Sequence, residues 1–232
     1  MIITGTRCII DKFSPEYPAR LLETTHPTTT LYCIGDTSLL SQTGFSIVGT
    51  RRSTPYGNGC AARFAKLCVE SGVTLVNGGA AGIESYALDA AVKAGGKCIV
   101  VQACGLNVPY PKSNTRLFQA IVDAGGLLVS AYHWDEPPIP YHFRARNGIT
   151  AALSSGILVV ECGLPSGVFS MAETAIDSGC SAYAIPGAIT AVQSRGSNEL
   201  IALGAGVVID DTSFTAALKS CGFDVDDGID RF

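Results

Sequence analysis

The run Phe45-Ser46-Ile47-Val48-Gly49-Thr50-Arg51-Arg52-Ser53 is apolar, closes on a glycine and passes at once into two arginines. The pattern returns three times. Residues 73–77 lead into Gly78-Gly79-Ala80-Ala81-Gly82. Residues 157–161 lead into Cys162-Gly163-Leu164-Pro165-Ser166-Gly167, and residues 182–185 into Pro186-Gly187-Ala188. A helix-like segment follows each loop. Strands that are apolar throughout, rather than alternating, belong to a parallel sheet covered on both faces. Strand, glycine loop and helix in repetition describe an α/β fold: an extended Rossmann-type, doubly wound, mostly parallel sheet. Its loop ends present backbone N–H groups and helix N-termini to an anion.

Outward from these loops, the chain divides into three parts. Residues 1–43 are rich in Thr and Pro with weak periodicity, and read as an N-terminal arm packed on the core. Residues 44–220 form the Rossmann-like core. Its helices are expected at 57–71, 83–94, 114–123, 147–153, 169–178 and 198–203, with a last one at 212–220 capped by Thr212. Glycines at Gly72, Gly95, Gly125 and Gly179 mark helix ends, where the αL conformation suits them. Ser113-Asn114 and Ser197-Asn198 read as helix starts. Residues 221–232 read as an acidic, flexible tail.

Composition narrows the function classes. Of 232 residues, 47% are hydrophobic and 16% charged, a balance that supports a sizeable core. The net charge of −4 does not advertise a nucleic-acid binder, but residues 210–232 hold six acidic and two basic side chains. The acidity therefore sits in the tail rather than around the loops. Nine cysteines stand without a Cys-x-x-Cys pair, and three histidines lack metal-ligand spacing. This reads as reduced thiols in a cytoplasmic protein, with no metal site. No signal peptide and no membrane span is expected.

Candidate binding residues follow from the loops. Gly49 and Thr50 turn the backbone close to a ligand, and Arg51 and Arg52 can neutralise phosphate; a solvent-exposed arginine pair is the plainer alternative. The spacing is not G-x-G-x-x-G, which argues against a nicotinamide or flavin enzyme. Gly78, Gly79 and Gly82 can form a nest of N–H donors, or serve close helix–strand packing. His142-Phe143-Arg144-Ala145-Arg146-Asn147 follows a proline cluster and opens a helix. Phe143 with Arg144 and Arg146 is a combination suited to single-stranded nucleic acid, stacking a base and pairing phosphates; the alternative is an aromatic plug at the core edge. Ser166 and Gly167, and Ser194 and Arg195 before a helix, complete the set. Glu161, Glu173 and Glu199 suggest no acid/base pair by spacing, so no catalytic residue is assigned.

Taken in order, these blocks resemble the DNA-processing protein A (DprA, or Smf) family. The resemblance runs from Tyr17-Pro18 and Leu31–Asp36, through Val48-Gly49-Thr50-Arg51, Gly79–Glu84, Cys104-Gly105-Leu106 with Tyr110-Pro111 and Asn114, and His142-Phe143 with Arg146-Asn147. It ends with Ser166-Gly167, Ile185-Pro186-Gly187 and Ser194-Arg195-Gly196 with Asn198. It implies an extended Rossmann fold that binds single-stranded DNA without catalysis or cofactor, homodimerises, and hands the strand to the RecA recombinase in transformation or recombination. In that family the first-loop arginine and the basic residues of the His-Phe block contact phosphates, which maps onto Arg51, Arg144 and Arg146. The chain departs where the family usually carries more charge, at Ala81, Ala145 and Gly148, and Glu173 stands where a basic residue is common. Weaker strand binding is the expected consequence, in a minimal form of the family. Two other classes share the fold. A nucleotide phosphoribohydrolase would need a Pro-Gly-Gly-x-Gly-Thr-x-x-Glu loop that residues 163–173 lack. A small-nucleotide sensor would use the same loops without chemistry.

Overall fold

The computed structural model describes residues 2–24 and 27–225. Its nine strands form one sheet in the order β1-β2-β6-β5-β4-β3-β7-β8-β9. These are β1 (Arg7–Asp11), β2 (Thr30–Gly35), β3 (Gly44–Val48), β4 (Leu75–Asn77), β5 (Cys98–Gln102), β6 (Leu127–Ser130), β7 (Ser154–Val159), β8 (Ser181–Ala184) and β9 (Gly206–Val207). From β6 to β9 every pairing is parallel. The helices are α1 (Pro55–Glu70), α2 (Ile83–Lys93), α3 (Thr115–Asp123), α4 (Pro140–Ala152), α5 (Gly167–Asp177), α6 (Arg195–Ala202) and α7 (Asp211–Ser220).

The continuously apolar strands are explained by two covered faces. Phe45, Ile47, Leu75, Val100 and Leu128 face a core built with α1, α2, α3 and α7, whose Phe64 and Phe214 fill its centre. Their chain neighbours Val76, Ile99, Val101 and Val129 face Ile149 and Ala152 of α4, while Val48, Ile157 and Val159 face Met171, Ala172 and Leu200 of α5 and α6. Alternate residues thus enter opposite cores, as period-2 side chains must. The doubly wound α/β reading holds.

Several boundaries differ from the sequence expectation. Residues 1–43 do not merely rest on the core: β1 and β2 pair antiparallel with each other, and β2 with β6, extending the sheet by two strands. Helix α4 begins seven residues earlier than expected, at Pro140. A proline cluster reads as loop, yet a proline at the first helical position loses no needed N–H and has its φ already set. Helix α7 is capped by Asp210, not Thr212: Asp210 accepts from the Ser213 N–H while Ser213 Oγ accepts from the Asp210 N–H, a reciprocal box. Helix α6 starts at Arg195, ahead of the expected Ser197-Asn198. Residues 226–232, most of the expected flexible tail, lie outside the described residues.

Strands β3 and β4 share a single backbone register pair, Phe45 with Leu75. Side chains finish the seam. Asn77 is fully buried; its Nδ2 donates to Ile47 O at 2.8 Å, and its Oδ1 accepts from Ile47 N at 3.1 Å. Ser46 Oγ donates to Val76 O at 2.6 Å. The strand order reverses between β3 and β7, so the carboxyl ends of these two strands flank the crevice where ligands of open α/β sheets settle.

Candidate nucleic-acid interface

The first glycine loop is stitched to its neighbours by backbone bonds. Thr50 N donates to Glu161 O at 2.7 Å, and Ile83 N donates to Thr50 O at 3.3 Å. A Cβ on Gly49 would lie 2.5 Å from Ile83, so close packing as well as ligand access requires glycine there. Gly82 has φ +78°, and a Cβ on it would lie 2.3 Å from Thr50 O. The first two loops are therefore one interlocked unit. Arg51 and Arg52 rise from it, both exposed.

The nest expected at Gly78-Gly79-Ala80-Ala81-Gly82 is partly occupied from within. The buried Glu84 accepts from the Ala80 N–H at 3.2 Å. Asn114, expected as a helix start, caps nothing with its side chain; its Nδ2 donates to Gly79 O at 3.0 Å and holds the loop from outside.

Beneath Gly78 lies Arg146. By sequence it is expected to be a phosphate contact on a helix start. The structure places it mid-helix in α4 and leaves it 5% exposed. Its Nη1 donates to Val101 O at 3.3 Å, and its Nε has no partner. No carboxylate lies within ion-pair distance of it among the described residues. Burial lowers its pKa; Glu84 opposes that shift and Arg51 adds to it. A buried guanidinium with an open donor is costly unless an anion completes it.

That guanidinium forms part of the wall of a small cavity of about 50 Å³, which Arg51, Gly78, Ala80, Ala81, Tyr110, Pro111 and Phe143 also line. Arg51 sits over the Phe143 ring, 5.7 Å from its centroid, and Phe143 meets Tyr110 edge-on at 5.4 Å. Four of the residues read as site residues, Arg51, Gly78, Phe143 and Arg146, thus converge, while Gly49, Thr50, Gly79 and Gly82 shape the backbone around them. Tyr110 and Pro111, quoted in the resemblance, belong to the site although the sequence reading does not assign them to it. No local spacing joins them to Arg51, since β5 and β3 are brought together by the sheet. Lys112, exposed just beyond Pro111, borders a neighbouring cleft with Arg116.

The remaining expected residues stand apart. Arg144 is exposed and Asn147 half-buried, and neither lines the cavity. Ser166 accepts from the Val168 N–H at 3.1 Å, capping α5, with Gly167 as that helix's first residue. Ser194 lines a second cavity of about 480 Å³ together with Thr54, Tyr56 and Glu161. Arg195 is the exposed first residue of α6. Glu161 accepts from Thr54 N at 2.9 Å and from Thr54 Oγ1, and so fixes the residue that caps α1.

The chain matches known proteins in sequence and in fold. The family model for DNA recombination-mediator protein A matches residues 8–219. Protein Smf of Escherichia coli is 36% identical over 197 residues, covering 85% of this chain and 53% of its own. DNA processing protein DprA of Streptococcus pneumoniae is 36% identical over 192 residues, covering 83% and 67%. The solved structure of DNA processing protein A from Helicobacter pylori, described for its single-stranded DNA binding mode, superposes with a TM-score of 0.85 at 30% identity, over 95% of this chain and 99% of that one. The chain spans about half the length of the Smf relatives from Escherichia coli and Synechocystis.

Proposed function

This chain belongs to the DNA recombination-mediator protein A family, and on that premise we propose that it binds single-stranded DNA without catalysing a reaction on it. One observation carries the reading: a buried guanidinium with a free donor, Arg146, shares a cavity with the exposed Arg51 and the half-buried Phe143 that it covers. The first accepts an anion held against the glycine loop. The pair supplies a second positive charge and an aromatic face for a base. Nothing in this constellation resembles a nucleophile with its base.

Ser166, Gly167, Arg144 and Arg195 extend the surface outside the cavity as secondary contacts. Lys112 and Arg116 continue positive charge past Tyr110-Pro111. The protein acts in the cytoplasm as a homodimer and delivers the strand to the RecA recombinase. A dimer is supported by the outer edge of the sheet, where Leu203, Val207 and Ile209 are exposed beside the two-residue strand β9.

Fluorescence anisotropy with a ~20-nucleotide oligomer tests the proposal, since single-strand binding is expected to weaken steeply with salt. Salt-insensitive binding, or a mononucleotide that binds more tightly than the oligomer, would refute it and favour a small-nucleotide sensor.

A further inference from the structure

The second cavity, of about 480 Å³, has the opposite chemistry to the first. It opens between the start of α1 and residues 186–194, beside the reversal point of the sheet. No lysine or arginine lines it. Glu161, 5% exposed, lines it, its carboxylate packed against Thr54 and Gly57 at the start of α1, and no cation lies within ion-pair distance of that group among the described residues. Thr54 donates one hydrogen bond to each carboxylate oxygen, which leaves a lone pair on both. Tyr56, 59% exposed, offers ring surface on one side. The facing wall is Pro186, Gly187 and Ala188, held in shape by Asn198, whose side chain donates to Gly187 O and accepts from Gly187 N, each at 3.0 Å.

A phosphate is repelled from such a site, whereas a flat, neutral group with N–H donors is matched by it. The volume suits a nucleoside-sized ligand, since small-molecule pockets run from roughly 300 to 1,000 Å³. Arg51 lines the first cavity and Thr54 the second, three residues apart, so the two lie within about 11 Å along the chain. We infer that this cavity is a nucleobase pocket for bases bearing an exocyclic amino group, with Glu161 accepting from that group. Resting on the proposed strand binding, the base comes from a nucleotide adjoining the phosphate held at Arg51 and Arg146. Cytosine fits, because a glutamate accepts from its N4 amino group. Thymine presents the O4 acceptor there, lone pair against carboxylate.

The test compares (dC)20 with (dT)20, of equal charge, by anisotropy at about pH 8, where cytosine is unprotonated and both strands are open, with calorimetric titration of free deoxycytidine and thymidine alongside. A hydrogen bond to a carboxylate predicts that (dC)20 binds about tenfold more tightly. The preference should vanish in Glu161→Gln. Because Glu161 also fixes the cap of α1, Ala188→Trp provides a second route: it fills the cavity from an exposed position and should likewise erase the preference. Equal binding of the two oligomers, or a preference unchanged in Ala188→Trp, overturns the pocket and leaves strand binding standing. If neither oligomer binds, the strand reading fails. Deoxycytidine binding that Ala188→Trp abolishes then still supports the pocket, with a free nucleoside as its source, and its absence overturns it.

Discussion

A Cβ added to Gly78 would lie 1.0 Å from Nη1 of Arg146. The second glycine loop therefore lacks a side chain at this point because a guanidinium occupies the space. Gly78→Ala must push Arg146 toward the cavity it lines. The variant is expected to fold with a loss of about 1–3 kcal/mol, and to bind single-stranded DNA at least tenfold more weakly. Chemical denaturation and anisotropy on the same preparation check both halves.

Arg146→Met separates stability from function. Replacing a buried, incompletely paired charge by a hydrophobic side chain is often neutral or stabilising by about 1–4 kcal/mol. The melting temperature is expected to hold or rise while oligomer affinity falls. A variant that unfolds would show that the guanidinium's bond to Val101 O is structural first.

Arg51→Ala should remove one phosphate contact. The slope of log K against log salt is expected to shrink by about 0.7 for a single strand. Arg195→Ala, at an exposed site outside both cavities, should change it less. An unchanged slope in Arg51→Ala would place the anion elsewhere.

Alkaline pH should destabilise the fold through its buried thiols. Burial raises Cys98 and Cys180 from 9.0 to about 12, and Cys104 to about 11. Because the folded values exceed the unfolded one, the unfolded chain releases these protons first. Stability is full below about pH 9 and is lost as pH climbs through the folded values. The urea midpoint should fall between about pH 9 and 11, and less so in Cys104→Ala.

Charge placed on the exposed sheet edge tests the homodimer. Leu203→Glu with Ile209→Glu is expected to leave stability within about 0.5 kcal/mol for each change, as surface substitutions do, while shifting sedimentation from dimer to monomer.

Local properties of the chain are enough for the class of fold and the family. Apolar strands, glycine-closed turns and their order are read directly from residues 45–209, so the parallel core was legible. Arg51 and Phe143 were legible too, as an arginine after a strand and an aromatic among basic residues. What each candidate does depends on assembly. Whether Arg146 is exposed turns on which face of α4 packs on β5, and the proline cluster before Pro140 hides where that helix begins. Glu161 reads as an unpaired carboxylate until the β3–β7 reversal sets it against Thr54. Asn77, Asn114 and Asn198 look like loop or helix-start residues, yet each fixes backbone across a seam. Hydrogen bonds between residues distant in sequence leave no local periodicity. The burial of one arginine, and the division of the sheet edge into a positive and a negative cavity, therefore emerge only when the strands come together.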